Sequence, residues 1–304
     1  MNTENWSGLI AATFTPMKDN GELNIPAIPS IVNQLVAEGV AGLYVCGGTG
    51  EGISLTNNER MIVAEAYIKA ANGKVPVFIH VGQDSVFAAR ELAKHALANG
   101  ADGISAMTPT YFKPNSTRAL IDSLKVITEA APDLPFIYYH FPAKSMLQLN
   151  LDEFVEMAGD QLPSMYAIKF TDSKVYDLQS ILHVSNGKLK VFFGTDEMLL
   201  TGLLAGASGA IGSTYNFALP LYLKLIEAWK DNDLVKAQYL QNLSVTMVKT
   251  FAPFGGIEGQ KAMMSLVGME CGPTRLPLNI LSISEIEQLR QQLEEIGFFR
   301  WARS

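Results

Sequence analysis

Short apolar runs rich in β-branched and aromatic residues recur along this chain, and between them apolar residues return every three or four positions. The short runs cover residues 8–13, 42–46, 75–81, 103–107, 135–140, 166–170, 190–193 and 209–213. Runs of four to seven residues with few polar breaks predict strands buried on both faces, the condition of a parallel sheet covered by helices. Eight such strands separated by helical stretches predict a closed (β/α)8 barrel of the TIM type, an α/β fold with roughly 30 residues per βα unit.

Local signals mark the helices. Thr56-x-x-Glu59 reads as a capping box ahead of a helix over 61–71, and Asn99-Gly100 ends a helix over 88–98. Three junctions share one pattern: Gly39 and Gly42, Gly100 and Gly103, Gly206 and Gly209 each place a helix-ending glycine three residues before a second glycine. The first glycine predicts a left-handed C-terminal cap, and the second begins the next strand. A doubly wound open sheet fits less well, because the glycine-rich turns do not form G-x-G-x-x-G. After Tyr215 the strand pattern stops, and helices are predicted over 220–229 and 234–248. A last helix is predicted to open on Ser284-x-x-Glu287, carry the stripe Ile286, Leu289, Leu293 and Ile296, and stop at Gly297. The expected division is a barrel over 1–224, followed over 225–304 by the final barrel helix and a helical extension packed on the barrel.

Composition narrows the field of functions. Hydrophobic residues are 48% and charged residues 17% of the 304, enough apolar material for a large core. A net charge of -7 with no cluster of Lys and Arg argues against a nucleic-acid surface. The first residues lack the pattern of a secretory signal and no apolar run reaches membrane-spanning length, so the expected setting is the cytoplasm with no membrane partner. Cys46 and Cys271 form no C-x-x-C pair, and the four histidines show no H-E-x-x-H spacing, so no metal is expected.

Chemistry in a β/α barrel sits at the carboxyl ends of the strands. There the sequence places Gly47-Gly48-Thr49-Gly50-Glu51 after strand two and Tyr138-Tyr139-His140 at the end of strand five. Strand six ends in Lys169-Phe170-Thr171-Asp172, strand seven in Gly194-Thr195-Asp196-Glu197, and strand eight in Gly212-Ser213-Thr214-Tyr215-Asn216. Lys169 closes an apolar run, so burial should lower its pKa and leave free amine to attack a ketone. The plain structural alternative is a lysine ion-paired with Asp172, Asp196 or Glu197. Tyr139 on the neighbouring strand can carry protons, or be an ordinary core aromatic. Gly48 and Thr49 lie in a loop whose backbone N–H groups can approach a carboxylate, or that is simply a tight turn. Asp196 and Glu197 can accept hydrogen bonds from a polyol, or merely favour a helix N-terminus, and Ser213 can add another hydrogen bond. Cys46 reads as a small buried hydrophobe.

Taken together, Gly-Thr-Gly-Glu at 48–51, Tyr-Tyr-His-Phe-Pro at 138–142, Lys-Phe-Thr-Asp at 169–172, Gly-Thr-Asp-Glu at 194–197 and Gly-Ser-Thr-Tyr-Asn at 212–216 carry a resemblance. Over nearly its whole length the chain resembles the dihydrodipicolinate synthase/N-acetylneuraminate lyase family of pyruvate-dependent class I aldolases. The motifs of its second half are similar to the sialate-cleaving branch. The dihydrodipicolinate-forming branch usually has an Arg after the Tyr-x-x-Pro segment, and Phe141-Pro142-Ala143-Lys144-Ser145 has none.

The resemblance implies that Lys169 forms an imine with pyruvate and that Tyr139 relays the proton of the cleaved carbinol. It implies that Gly48 and Thr49 hold the pyruvate carboxylate, while Thr171, Gly194, Asp196, Glu197, Gly212 and Ser213 bind the sugar chain. The implied reaction is reversible cleavage of open-chain N-acetylneuraminate, a sialic acid, to N-acetylmannosamine and pyruvate, with no metal and no diffusible cofactor. It further implies a homotetramer in which Tyr111 reaches a neighbouring subunit's site. One departure is that Gly48 stands where the family usually has Ser or Thr, removing a hydroxyl beside the carboxylate and Tyr139. Other readings are a pyruvate aldolase acting on another sugar acid or aldehyde, a non-catalytic sugar-acid-binding homologue, and a phosphate-binding barrel, against which Asp196 and Glu197 argue by repulsion.

Overall fold

Alternation along each strand divides the apolar residues between two cores. Leu9, Leu43, Ile79, Ile104, Phe136, Ile168, Val191 and Ala210 point outward to the helices, whereas Ile10, Tyr44, Phe78, Ile137, Ala167, Phe192 and Ile211 fill the lumen. This is the period-two arrangement of a closed sheet whose outer face is covered.

The structure is a computed structural model, and it describes residues 6–302. Its strands are β1 (Gly8–Ala12), β2 (Gly42–Val45), β3 (Val77–His80), β4 (Gly103–Met107), β5 (Phe136–His140), β6 (Met165–Phe170), β7 (Lys190–Phe193) and β8 (Gly209–Gly212). All neighbours pair in parallel, and β8 returns to β1, closing an eight-stranded barrel. The predicted strands and their order are borne out to within a few residues.

Helices α1 (Ile28–Ala37), α2 (Asn57–Ala71), α3 (Val86–Ala98), α4 (Thr117–Thr128), the short α5 (Pro142–Ser145), α6 (Leu151–Gln161), α7 (Val175–Val184) and α8 (Leu199–Leu204) lie between strands. The predicted Thr56–Glu59 capping box forms, with both reciprocal bonds present. Gly39, Gly100 and Gly206 all take positive φ, as the predicted caps require. Their partners are needed for closeness instead: a Cβ on Gly209 would stand 2.4 Å from the Gly8 carbonyl oxygen. At the amino end Trp6 meets Phe78 and Tyr166 edge-on, at 4.6 and 5.0 Å, and stoppers the lumen.

Beyond β8 come α9 (Tyr215–Lys230), α10 (Leu234–Phe251), α11 (Gly256–Leu266), α12 (Ile283–Glu295) and α13 (Phe298–Trp301). The helix predicted from Pro220 begins earlier, at Tyr215, and bends at Ala218, two residues before the proline that interrupts its hydrogen-bond ladder. Helix α12 is capped by Ser282 and Glu285 rather than by the predicted Ser284 and Glu287. Both tetrads satisfy the sequence pattern, and extended backbone at Ser282 selects the first. Leu289 and Leu293 are fully buried, and Gly297 ends the helix with positive φ, as predicted.

Candidate active site

Lys169 is the fifth residue of β6, and its neighbours Ile168 and Phe170 belong to the outer core, so alternation turns its amine into the lumen. The residue is only 4% exposed. Tyr139 is its register partner on β5, and Nζ lies 4.2 Å from the Tyr139 ring centre and 4.3 Å from that of Tyr44 on β2. Burial pulls the amine down to about 7, with the field of Asp196 acting weakly in the opposite sense. At that value a large fraction of the amine is neutral near pH 7.

The ion-pair alternative for Lys169 does not form: none of the ion pairs among the described residues involves it. Asp172 accepts from the Ser173 amide at 2.7 Å and stands 3.9 Å from His140 Nε2. His140 packs against Phe170, a residue of the outer core, so this pair sits outside the lumen. Burial draws the His140 imidazole down to about 4.

The Tyr139 phenol is buried, its pKa pushed up by desolvation and drawn partly back by the Thr171 hydroxyl. Two glycines let polar groups of neighbouring strands pack directly against the backbone here. A Cβ on Gly194 would stand 2.0 Å from Thr171 Oγ1, and one on Gly212 would stand 1.7 Å from Asp196 Oδ1. Both positions therefore admit hydrogen alone without moving a polar group of the site.

Asp196 is 5% exposed. Oδ2 accepts from the Thr214 amide at 2.9 Å and from its hydroxyl at 2.7 Å, and the buried Tyr215 hydroxyl also lies within hydrogen-bonding influence of the carboxyl. Burial raises the pKa of Asp196 and that of its half-buried neighbour Glu197. Ser213 is half-buried in the turn after β8, with its carbonyl accepting from Asn216 Nδ2.

The glycine-rich turn after β2 is sharply folded: Cys46 and Glu51 both adopt left-handed backbone, with φ of 60° and 52°. Gly48 is exposed with open space where a Cβ would stand, and Thr49 is half-buried beside it. Cys46 is buried, and desolvation pushes its thiol up to about 11, in keeping with a small hydrophobe. Tyr111 is not brought to the lumen of this chain. It is 78% exposed in the β4–α4 loop, edge-on to the 83% exposed Phe112, with the loop pinned by Thr110 and Tyr111 amides donating to Asp84.

Several site groups escaped the sequence reading. Tyr44 donates to or accepts from Ser105 Oγ at 2.9 Å, and His80 lies within 6.0 Å of the Tyr139 ring. Arg60, buried in α2, donates to the carbonyls of Gly82 and His80, and helps keep the His80 imidazole neutral after desolvation has lowered its pKa. Strand parity was the available signal for Tyr44, His80 and Ser105, which occupy inward positions. Behind Asp196 a hydroxyl chain runs from Thr214 to Tyr222 and on to Ser244 of α10, at 2.7 and 2.8 Å. Gln241 of α10 donates to the Asp196 carbonyl and accepts from the Leu200 amide. No periodicity could reveal these contacts between distant helices.

Residues 5–296 match the model of the dihydrodipicolinate synthetase family. The chain is similar to mouse N-acetylneuraminate lyase, 38% identical over 296 residues that cover 96% of this chain and 92% of that protein. Among solved structures it is similar to N-acetylneuraminate lyase from Proteus mirabilis, with a TM-score of 0.94 and 35% identity over 97% of this chain and all of the other. It is also similar to a prophage protein of E. coli K12 from the dihydrodipicolinic acid synthase family, solved in complex with pyruvate, with a TM-score of 0.88 and 29% identity over 96% of this chain and 99% of that one.

Proposed function

The chain belongs to the dihydrodipicolinate synthetase family, and from that premise we propose that it cleaves N-acetylneuraminate reversibly to N-acetylmannosamine and pyruvate through an imine on Lys169. The observation that carries the reading is the desolvated amine of Lys169 at the lumen mouth, in contact with the Tyr139 ring.

In the proposed mechanism neutral Nζ adds to the ketone carbon of the open-chain sugar acid, and loss of water gives a protonated imine. Tyr139 then takes the proton of the β-hydroxyl while passing its own to solvent, because a phenol whose pKa is raised does not ionise freely at neutral pH. The electron pair of the α–β carbon–carbon bond moves into the imine to give an enamine, and the aldehyde sugar leaves. Protonation of the enamine at carbon and hydrolysis release pyruvate and restore the amine. No metal or diffusible cofactor enters these steps.

Thr49 and the backbone at Gly48 are assigned to the pyruvate carboxylate, and the open space beside Gly48 supports that assignment. Thr171, Gly194, Asp196, Glu197, Gly212 and Ser213 are assigned to the sugar chain, and the half-buried acceptors of Glu197 and Ser213 at the ends of β7 and β8 support it. Phe141–Ser145 offers no arginine to hold a second carboxylate, which favours a polyol over a dicarboxylate product. The exposed Tyr111–Phe112 pair supports a homotetramer in which Tyr111 completes a neighbour's pocket.

The test is pyruvate release from N-acetylneuraminate, followed by coupling to lactate dehydrogenase, beside condensation of pyruvate with a panel of aldehydes. Pyruvate release with preference for N-acetylmannosamine in condensation is expected. Preference for another aldehyde refutes the substrate, and no turnover with any of them refutes the enzyme.

A further inference from the structure

The glycine-rich turn that the proposed function assigns to the pyruvate carboxylate has four glycines between residues 47 and 52. Two backbone bonds close it, from the Glu51 amide to Gly48 and from the Gly52 amide to Gly47, both at 3.0 Å. Its remaining anchors come from outside. Thr15 Oγ1 donates to the Gly50 carbonyl at 2.6 Å, and the Glu51 side chain leaves the turn away from the lumen to meet the C-terminal extension.

That meeting is a buried ion pair. Lys261 Nζ, on α11, lies 2.6 Å from Glu51 Oε1, with the two side chains 3% and 1% exposed. Lys261 also donates to the Pro273 carbonyl at 2.7 Å, and the Arg275 amide donates to Glu51 Oε2 at 2.8 Å. The Arg275 guanidinium turns outward to a two-pronged pair with Glu59, the residue that caps α2, at 2.8 and 2.9 Å. Residues 271–275 are themselves pressed onto the barrel: the Met17 amide donates to the Cys271 carbonyl, and a Cβ on Gly272 would stand 1.8 Å from the Met17 oxygen.

We propose that Lys261, acting through Glu51 with the Arg275 amide as a second anchor, is a positioning residue that holds the glycine-rich turn in the shape that receives the substrate carboxylate. The inference rests on the reading of that turn as the pyruvate carboxylate site. A buried ion pair contributes little net stability compared with an apolar replacement of the same volume, so a role in fixing the turn's geometry is the reason for this one. Here it joins the glycine-rich turn to the extension, 210 residues later in the chain. The extension thereby becomes part of the site without contributing an atom to it.

The test measures borohydride trapping of Lys169 as a function of pyruvate concentration by mass spectrometry. It uses the full-length parent, Lys261→Met, the charge-neutral double variant Glu51→Gln/Lys261→Met, and Leu293→Ala as a control that destabilises the remote helix α12. Half-saturating pyruvate is expected to rise ~10-fold in both Lys261 variants, with labelling at saturation retained and the control unchanged. The double variant leaves no unpaired buried charge, so it reports even where Lys261→Met fails to fold. Unchanged half-saturation in the folded double variant overturns the inference alone, as does an equal rise in the control. No labelling of the parent overturns the imine reading and the inference with it.

Discussion

Replacing Lys169 by methionine should stabilise the protein while abolishing its proposed chemistry. Burial holds the amine at about 7 in the folded chain, against 10.5 for an ordinary lysine. Between those values the unfolded chain binds a proton that the folded chain does not, so stability rises with pH across that window and is lowest below it. At pH 7 the linkage cost of the buried amine is about 4 kcal/mol, and at pH 9 it falls to about 2 kcal/mol. Methionine has similar volume and no charge, so Lys169→Met removes this cost. The figure is an upper bound, because the faces of Tyr44 and Tyr139 favour the charged form that methionine cannot supply. For 304 residues it corresponds to a gain of about 6 °C in Tm at pH 7. Thermal melts of parent and variant at matched concentration at pH 7 and pH 9 test this, the expected gap being about half as large at the higher pH. A variant no more stable than the parent at pH 7, or a gap that does not close with pH, refutes the desolvated amine.

Two further substitutions probe the groups around it. Gly48→Ser should fold normally, since a Cβ there meets nothing within 4 Å, and should raise kcat by up to ~100-fold by restoring a relay hydroxyl near Tyr139. Unchanged kcat in a folded variant would show that the missing hydroxyl is not rate-limiting. Asp196→Asn removes the carboxylate whose field raises Lys169, so the acid limb of imine formation should move to lower pH. A pH profile of borohydride trapping reads this, and a shift to higher pH contradicts the assigned sign.

The barrel was legible because its determinants are local and periodic. Buried strands must be short and apolar, and helices must end before the next strand, which put Gly39, Gly100 and Gly206 at positive φ in register with β2, β4 and β8. Lys169 and Tyr139 were legible for a related reason: polar groups that close apolar runs at strand ends must enter the lumen or the helix layer, and period two decides which. The Ser282 cap was missed because two overlapping tetrads fit one pattern and only the backbone separates them. The Glu51–Lys261 pair and the chain from Asp196 through Thr214 and Tyr222 to Ser244 join segments far apart in sequence. Nothing in either local segment specifies its partner, so these contacts emerge only once the extension is folded onto the barrel.

The central claim is that one amine in the lumen condenses with a keto acid. Reduction by borohydride in the presence of pyruvate, followed by peptide mapping, examines it directly. A stable adduct on the peptide containing Lys169 is expected, and none in Lys169→Met. An unmodified Lys169, or an adduct on a different lysine, contradicts it.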